Sequence, residues 1–491
     1  MKQNRHEWKD PRGPTFEEFF QDFKPALTAT EATTEANRCL YCYDAPCIRA
    51  CPTEINIPQF IGRIGAGNAH GAAKTILDSN ILGHSCASAC PTEVLCEGAC
   101  VYNQLNHKPI LIGKLQRYAV EKSYQDRVQF YTPGPATGKR VALIGAGPAS
   151  LACAHELRKQ GHEAVIYEKT RLPGGLNTYG IAPYKMKAAV SLREIEQISA
   201  LGVEFKFDQE LGRGLELTAL LETYDIVFLG LGLGADSLPK IAGSDARQVR
   251  PRFRGATELI AELKTAPQNR LEWLKAVETA LVIGGGNTSL DACRELKGLG
   301  IPKVIGSYRR GEKEMSGYSH ELKTARQEGV EFKFHTLPIQ ITPLETETGS
   351  PPEFLVRILK TNTAFEPQAK EQASSHTHAD STEFGDVTHL TVQLVVVATG
   401  QSKLAGLLAE VPGLKFEKGR LLTDPKTGMT GNPKIFAGGD LTNGGKEVVN
   451  AVAEGKRAAL AIDAQFKISA RERMAAALLN PDLNLTETSR S

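Results

Sequence analysis

Eight of the ten cysteines lie between Arg38 and Cys100, in two runs: Cys39-x2-Cys42-x4-Cys47-x3-Cys51-Pro52 and Cys86-x3-Cys90-Pro91-x4-Cys96-x3-Cys100. Thiols at this density form disulfides, zinc sites or iron–sulfur clusters. Disulfides need an oxidising compartment, and Met1 to Asp10 is polar and charged without the apolar stretch of an export signal, so a reducing, cytoplasmic setting is expected. Zinc favours paired C-x-x-C hooks, and only Cys39 and Cys42 make one. Crowded thiolates closed by Cys-Pro fit ferredoxin-type ligation of 4Fe–4S clusters, where one run can serve two clusters. The spacing favours clusters and leaves zinc open.

Elements must hold these thiols and supply them with electrons. A chain of 491 residues is too long for one core, and roughly two to four domains are expected. A net charge of +2 provides no basic field for nucleic acid, and no apolar run of membrane-spanning length is present. Between the cysteine runs, Pro58 to Ile64 and Gly71 to Leu77 carry apolar residues at helical spacing, as does Lys114 to Ser123, so the first domain is expected to be helical. The polar lead-in, with apolar patches around Phe16 to Phe23, is expected to pack on the cysteine block. Tyr131 to Gly138 reads as a linker.

The pattern then changes to buried strands. Lys139 to Gly145 is a strand that opens Gly145-Ala-Gly147-Pro-Ala-Ser150. A small-residue helix and a second strand ending at Glu168 follow. Strand, glycine turn, helix, strand and acidic end form a dinucleotide fingerprint in its required context. The glycines let the backbone approach a pyrophosphate at a helix N-terminus. Ser150 is small enough for close packing, and Glu168 would accept from a ribose hydroxyl. The device recurs at Thr279 to Gly284, with Gly286, Asn287 and Thr288, but its second strand ends in Arg309-Arg310. An acid there suits a ribose 2′-hydroxyl and arginine a 2′-phosphate, so FAD is expected in the first fold and NADPH in the second.

Val395 to Gly400, with Thr399, predicts a strand near the nicotinamide. Lys434 to Asp440 predicts a return to the flavin fold, with Gly439, Asp440 and the helix from Val448 to Ala461 facing the flavin. Thr361 to Thr388 reads as a loop or hairpin extension, whose His376 and His378 are solvated rather than metal-binding, and the tail from Pro481 is polar. Cys153 and Cys293 fall in helices after the glycine turns, as buried inert thiols.

These residues resemble the electron-input family that includes the small subunit of glutamate synthase and the N-terminal half of dihydropyrimidine dehydrogenase, with its separate bacterial counterpart subunit. Asp44-Ala-Pro-Cys47, Ala50-Cys51-Pro52-Thr53, Asn80-Ile-Leu-Gly83, Cys90-Pro91-Thr92-Glu93, Pro109-Ile-Leu-Ile-Gly113 and Gln116 are similar to the pyrimidine branch. The resemblance implies an α/β chain with an all-α N-terminal domain: a helical two-cluster domain over residues 1–124, an FAD domain over 125–236 and 403–470, an inserted NAD(P)H domain over 237–402, and a tail over 471–491. It implies that Cys39, Cys42, Cys47 and Cys100 bind one cluster, that Cys51, Cys90, Cys96 and Gln116 bind the other, and that Cys86 has no iron. A neutral amide in place of a thiolate would raise that cluster's potential.

The resemblance also aligns Gly145, Gly147, Glu168, Gly175, Leu176, Gly439, Asp440 and Val448 with flavin contacts, and Lys185 where the family can have arginine. Gly284, Gly286, Asn287, Thr288, Arg309, Arg310, Thr399 and Gly400 align with the NAD(P)H side. Asn287 stands where aspartate is common and keeps an acceptor oxygen. Bacterial members of the pyrimidine branch can use NADH, so NADH stays open beside NADPH. The implied activity is an oxidoreductase subunit that takes a hydride from NAD(P)H onto FAD and passes electrons through the clusters to an FMN-containing partner, where uracil or thymine is reduced. The alternatives are a glutamate synthase small subunit, whose equivalent helix tends to carry an acid in place of Gln116, and a zinc-stabilised nucleotide-binding regulator.

Overall fold

The computed structural model describes residues 14–347, 351–361 and 386–479, with side chains to residue 468. Its N-terminal block is built from helices with local caps. Thr28 and Glu31 close a reciprocal capping box at the start of Ala29–Ala36, and the side-chain oxygens of Asn56 and Asn68 accept from the first turns of Ile57–Gly65 and Ala69–Ser79. Gly83–Ala89 carries Cys86 and ends on Cys90, and Ile112–Gln125 packs beside it. Ile57, Phe60, Ile76 and Leu115 of this block share one continuous apolar core with Leu143, Leu151 and Ile195 beyond it. The block is therefore seated on the following lobe.

That lobe is a five-stranded parallel sheet in the order Ile435–Ala437, Ile226–Leu229, Arg140–Ile144, Glu163–Tyr167, Glu204–Lys206. The inner strands are buried on both faces, as crossover helices require. A second parallel sheet follows the order Glu331–Phe334, Lys303–Tyr308, Thr279–Ile283, Leu394–Val397, Phe253–Gly255. The chain thus leaves the first sheet after Leu229 and returns to it at Ile435. It crosses at residues 234–237 and 399–402, which lie side by side. Gly234 N–H donates to Ser402 O at 2.9 Å, Ser402 N–H to Ala235 O at 2.8 Å, and Ser237 N–H to Gly400 O at 2.8 Å.

Three features depart from the sequence reading. Phe16 packs into the core of the second sheet with Leu259 and Leu263, and Phe20 joins Ala182 and Tyr184, so these two rings lie on the nucleotide lobes, while Ala32 and Ala36 of the lead-in join the cysteine block's core as expected and Lys24 pairs with Glu93. Thr336–Pro343, Phe354–Lys360 and Val387–Val392 form an antiparallel sheet. The expected extension between the last two strands, with His376 and His378, lies outside the described residues, as does the polar tail. The helix that begins at Val448 continues to Leu479, past the expected end at Ala461. Cys153 and Cys293 are fully buried. Among the described residues no helix is long and apolar enough to cross a membrane.

Candidate redox site

Cys39, Cys42, Cys47 and Cys100 line one pocket with Leu40, Ile57, Ile61, Ile110 and Ile112. Burial raises the Cys39 thiol and pushes Cys47 up to about 11, with the neighbouring thiols adding to both shifts. The second group gathers around Cys90, whose thiol is raised first by its hydrogen bond with Cys86, then by burial and by Cys96 and Cys51. Cys86 and Cys90 pack on Val449, with Cys51 and Val448 against them. The buried Gln116 amide donates through Nε2 to Gly83 O at 2.7 Å. A carbonyl can only accept, so this contact fixes which way the amide faces. Among the described residues no three His, Cys, Asp or Glu side chains converge on a single-ion position. A 4Fe–4S cube takes its four ligands at four different irons, and soft thiols spread around an apolar pocket fit it.

Glu194 holds the cysteine-bearing helix from a distance. Its carboxylate accepts from His84 N–H at 2.7 Å and Ser85 N–H at 3.2 Å, satisfying the first turn of Gly83–Ala89. Burial pushes its pKa up to about 7 despite those donors. In sequence its one signal is a carboxylate flanked by Leu192, Ile195 and Ile198 on an apolar face.

In the first sheet, Gly145 has φ +89, and a Cβ there would lie 2.6 Å from Gly230 O. Gly147 is different: its φ is −77 and a Cβ would meet no protein atom within 4 Å. Among the described residues nothing demands glycine at 147, whereas a ligand pressed on the backbone at the start of Pro148–Lys159 would. Glu168 turns inward, with Oε2 accepting from Ala146 N–H at 2.7 Å and Oε1 from Thr170 N–H at 2.8 Å. Ser150 is fully buried, and its hydroxyl faces Gly230 so closely that a Cβ there would lie 2.1 Å away. Gly175, φ +53, packs so tightly on Gly147 that a Cβ there would lie only 2.9 Å from the Gly147 Cα, and it places the exposed Leu176 beside the turn.

Gly439, φ +77, donates to Glu454 Oε2 at 2.6 Å. Asp440 follows, raised to about 6, first by burial and then by Glu454 and Glu447. The sequence signal of Glu454 is weak: a lone carboxylate before Gly455, after the largely apolar stretch from Val448 to Ala453. Lys264 is a further missed residue. Fully buried, it donates to Asn177 O, Ile181 O and Met186 O at 2.9–3.1 Å and so anchors the loop after Leu176. Burial lowers its pKa to about 8.

The second turn repeats the first. A Cβ at Gly285 would collide with the Tyr308 ring, whereas Gly286 would meet only Ser316 Oγ at 3.6 Å, again a cradle open toward a ligand. Thr288 is half-buried at the helix start. Asn287 Oδ1 accepts from Tyr318 N–H at 2.9 Å, so the expected acceptor also serves the protein's own backbone. Arg309 and Arg310 are exposed, with their carbonyls bound by Thr361 Oγ1 and His335 N–H. Thr399 Oγ1 donates to Ser237 O at 2.8 Å, and Gly400 has φ +107. Lys185, aligned with the flavin side, pairs with Asp291 and Glu321 of the second lobe at 2.8 Å each. Burial alone would lower its pKa, but those two carboxylates hold it above the usual range.

Two family models match this chain. One, described as dihydropyrimidine dehydrogenase domain II, 4Fe-4S cluster, matches residues 16–128. The other, pyridine nucleotide-disulphide oxidoreductase, matches residues 139–455. The chain belongs to the pyridine nucleotide-disulphide oxidoreductase family. Similar members include the glutamate synthase (NADPH) small chain of Escherichia coli K12, 33% identical over 90% of this chain and 93% of that one. The NAD-dependent dihydropyrimidine dehydrogenase subunit PreT of the same organism is 32% identical over 90% of this chain and 96% of its own. A glutamate synthase small chain from Halomonas elongata is 32% identical over 91% and 92%. As a pyridine nucleotide-disulphide oxidoreductase with an iron–sulfur domain, the chain is an NAD(P)H-dependent flavin oxidoreductase that carries FAD and 4Fe–4S clusters. The family sets aside the zinc-stabilised regulator.

Proposed function

We propose that this chain is the electron-input subunit of a dihydropyrimidine dehydrogenase, drawing on NAD(P)H and serving an FMN-containing partner that reduces uracil or thymine. The observation that carries the electron route is the start of the Val448–Leu479 helix. Val449 packs on Cys86 and Cys90, and a Cβ at Gly455 would lie 1.9 Å from Ala149 O of the flavin-turn helix. One helix therefore abuts both the second thiol group and the candidate flavin turn. When bound, the flavin supplies the exchange between a hydride pair and single electrons. The chain's own residues do the rest: Gly145, Gly147, Gly175 and Gly439 open the backbone to the dinucleotide, Glu168 and Glu454 hold the turns, and apolar side chains line the pocket of the first thiol group.

The pyrimidine destination is supported by the description of the 16–128 match and by the likeness to PreT. A glutamate synthase small chain is the second reading, favoured by the comparable 33% identity to that relative, and Gln116 weighs against it. Co-expression with an FMN-barrel pyrimidine reductase decides. The expected outcome is co-purification and uracil reduction by the pair, with the isolated chain bleaching on NADPH but leaving uracil untouched. A full rate of uracil reduction by the chain alone would refute the split.

In this proposal Cys39, Cys42, Cys47 and Cys100 bind one cluster, and Cys51, Cys90, Cys96 and Gln116 the other. The amide orientation set by Gly83 O supports Gln116, while the proximity of Cys86 to Cys90 makes Cys86 the competitor. Gln116→Ala is expected to lose or alter one cluster, read by iron content and EPR, and Cys86→Ser to leave both intact. The reverse pattern would make Cys86 the ligand.

A further inference from the structure

A short segment after the second glycine turn touches all three parts of the redox machinery. Gly317 N–H donates to Gly285 O at 2.9 Å and Tyr318 N–H to Asn287 Oδ1 at 2.9 Å, so its backbone is fastened to the nucleotide turn itself. The Tyr318 side chain then leaves the lobe. Its hydroxyl donates to Glu447 Oε1 at 2.7 Å, on the residue just before the Val448 helix. The His320 ring stacks beside it, centroids 5.6 Å apart with 14° between planes. His320 Nε2 also lies 3.8 Å from Glu93 Oε2, three residues beyond Cys90.

Hydride transfer needs the nicotinamide within roughly 3–3.5 Å of its acceptor and aligned with it, and a misplacement of about 1 Å can cost 100-fold. The two rings would be carried on different sheets, so the angle between the lobes has to be set by contacts across the seam. Lys185 with Asp291 and Lys264 with its three carbonyls also bridge that seam, but from the bodies of helices Asn287–Gly298 and Ala256–Thr265. Tyr318 is fastened by its backbone to the turn that would hold the nucleotide, and its hydroxyl ends on the residue that leads into the helix that would hold the flavin. Its partner sits 129 positions away.

We infer that Tyr318 is a positioning residue for the hydride step, tethering the nicotinamide turn to the flavin helix through the phenol–carboxylate hydrogen bond with Glu447. Its role is to hold the closing angle through Glu447. The inference rests on assigning the Gly284–Asn287 turn to the nicotinamide nucleotide.

Tyr318→Phe removes the hydroxyl and leaves the ring for His320. In anaerobic stopped-flow experiments on the full, cofactor-loaded chain, the limiting rate of flavin bleaching by NADPH or NADH should fall about tenfold, the worth of one hydrogen bond to a charged group. The nicotinamide–flavin charge-transfer absorbance should weaken with it, while nucleotide affinity, FAD content, iron content and dithionite reduction stay as in the parent. Glu447→Ala should reproduce the fall. Glu447→Gln, which keeps an accepting oxygen, should recover most of the rate. An unchanged bleaching rate in Tyr318→Phe, or equal losses in Glu447→Gln and Glu447→Ala, would overturn the tether. Gly286→Ala separates the two levels. If it leaves nucleotide binding unchanged, the turn assignment fails and the tether with it. If it weakens binding while Tyr318→Phe bleaches normally, the tether alone is refuted.

Discussion

Gly147→Ala is expected to give a chain that folds with its iron–sulfur block intact and retains little FAD. The backbone at 147 has an ordinary φ of −77, and the added methyl would meet no protein atom within 4 Å. The substitution therefore costs the fold almost nothing. Its methyl points into the space where a pyrophosphate would meet the first N–H groups of Pro148–Lys159. Displacing the phosphate from charge-assisted hydrogen bonds costs roughly 1.5–3 kcal/mol each, or about 10- to 100-fold in affinity. Flavin absorbance per chain after gel filtration measures the loss.

Gly455→Ala makes the contrast. That methyl would lie 1.9 Å from Ala149 O, backbone on backbone, so the Val448–Leu479 and Pro148–Lys159 helices must part, and overpacking of this kind costs roughly 1–3 kcal/mol or more. Flavin retention and the thermal midpoint should fall together in Gly455→Ala, and flavin retention alone in Gly147→Ala. A Gly147→Ala chain with full flavin would show that no dinucleotide phosphate sits on this turn.

Replacing Arg309 and Arg310 together by alanine is expected to weaken NADPH about 100-fold and NADH less than about threefold, because each guanidinium–phosphate contact is worth roughly 1.5 kcal/mol or more even before geometry adds to it. Both arginines are exposed at the end of Lys303–Tyr308, and neither guanidinium makes an ion pair or side-chain hydrogen bond with another described residue. The carbonyls of both are pinned, by Thr361 Oγ1 at 2.6 Å and His335 N–H at 3.0 Å. The backbone is thus held while the charged ends remain available. Since the proposed contact is electrostatic and exposed, added salt should weaken NADPH binding to the parent chain and leave NADH little changed. Titrations of both nucleotides at two salt concentrations provide the measurement. Equal losses for NADPH and NADH would mean that these arginines do not read the 2′-phosphate.

Local rules explain what was readable along the chain. Each glycine turn lies between a strand and a helix that are contiguous in sequence, and the strand lengths follow from runs of buried β-branched residues. The cysteine spacings announce soft-metal chemistry because adjacent ligands must come from neighbouring turns. The antiparallel sheet was harder to see, since Pro338 and Pro343 interrupt the alternation of its first strand and proline argues against a strand interior. Phe16 and Phe20 could be recognised as buried-type side chains, but no local signal says which lobe buries them.

Position between distant parts was decided only by the tertiary fold. Cys100 belongs by spacing to the second run, yet packing lays it in the pocket of Cys39, Cys42 and Cys47. Glu194 caps a helix 110 positions away, and Tyr318 finds Glu447 across 129. Such contacts leave no periodicity, because each is one polar side chain meeting one partner after the apolar cores have set where the elements stand. The amino-acid sequence by itself determined the local devices: two cysteine runs, two glycine turns and an acidic end set against a basic one. The packed structure determined that the start of one helix, at Val448, would be shared between a thiol group and the candidate flavin turn, because only the joint burial of the helical block and the first sheet in one core brings those two surfaces to the same place.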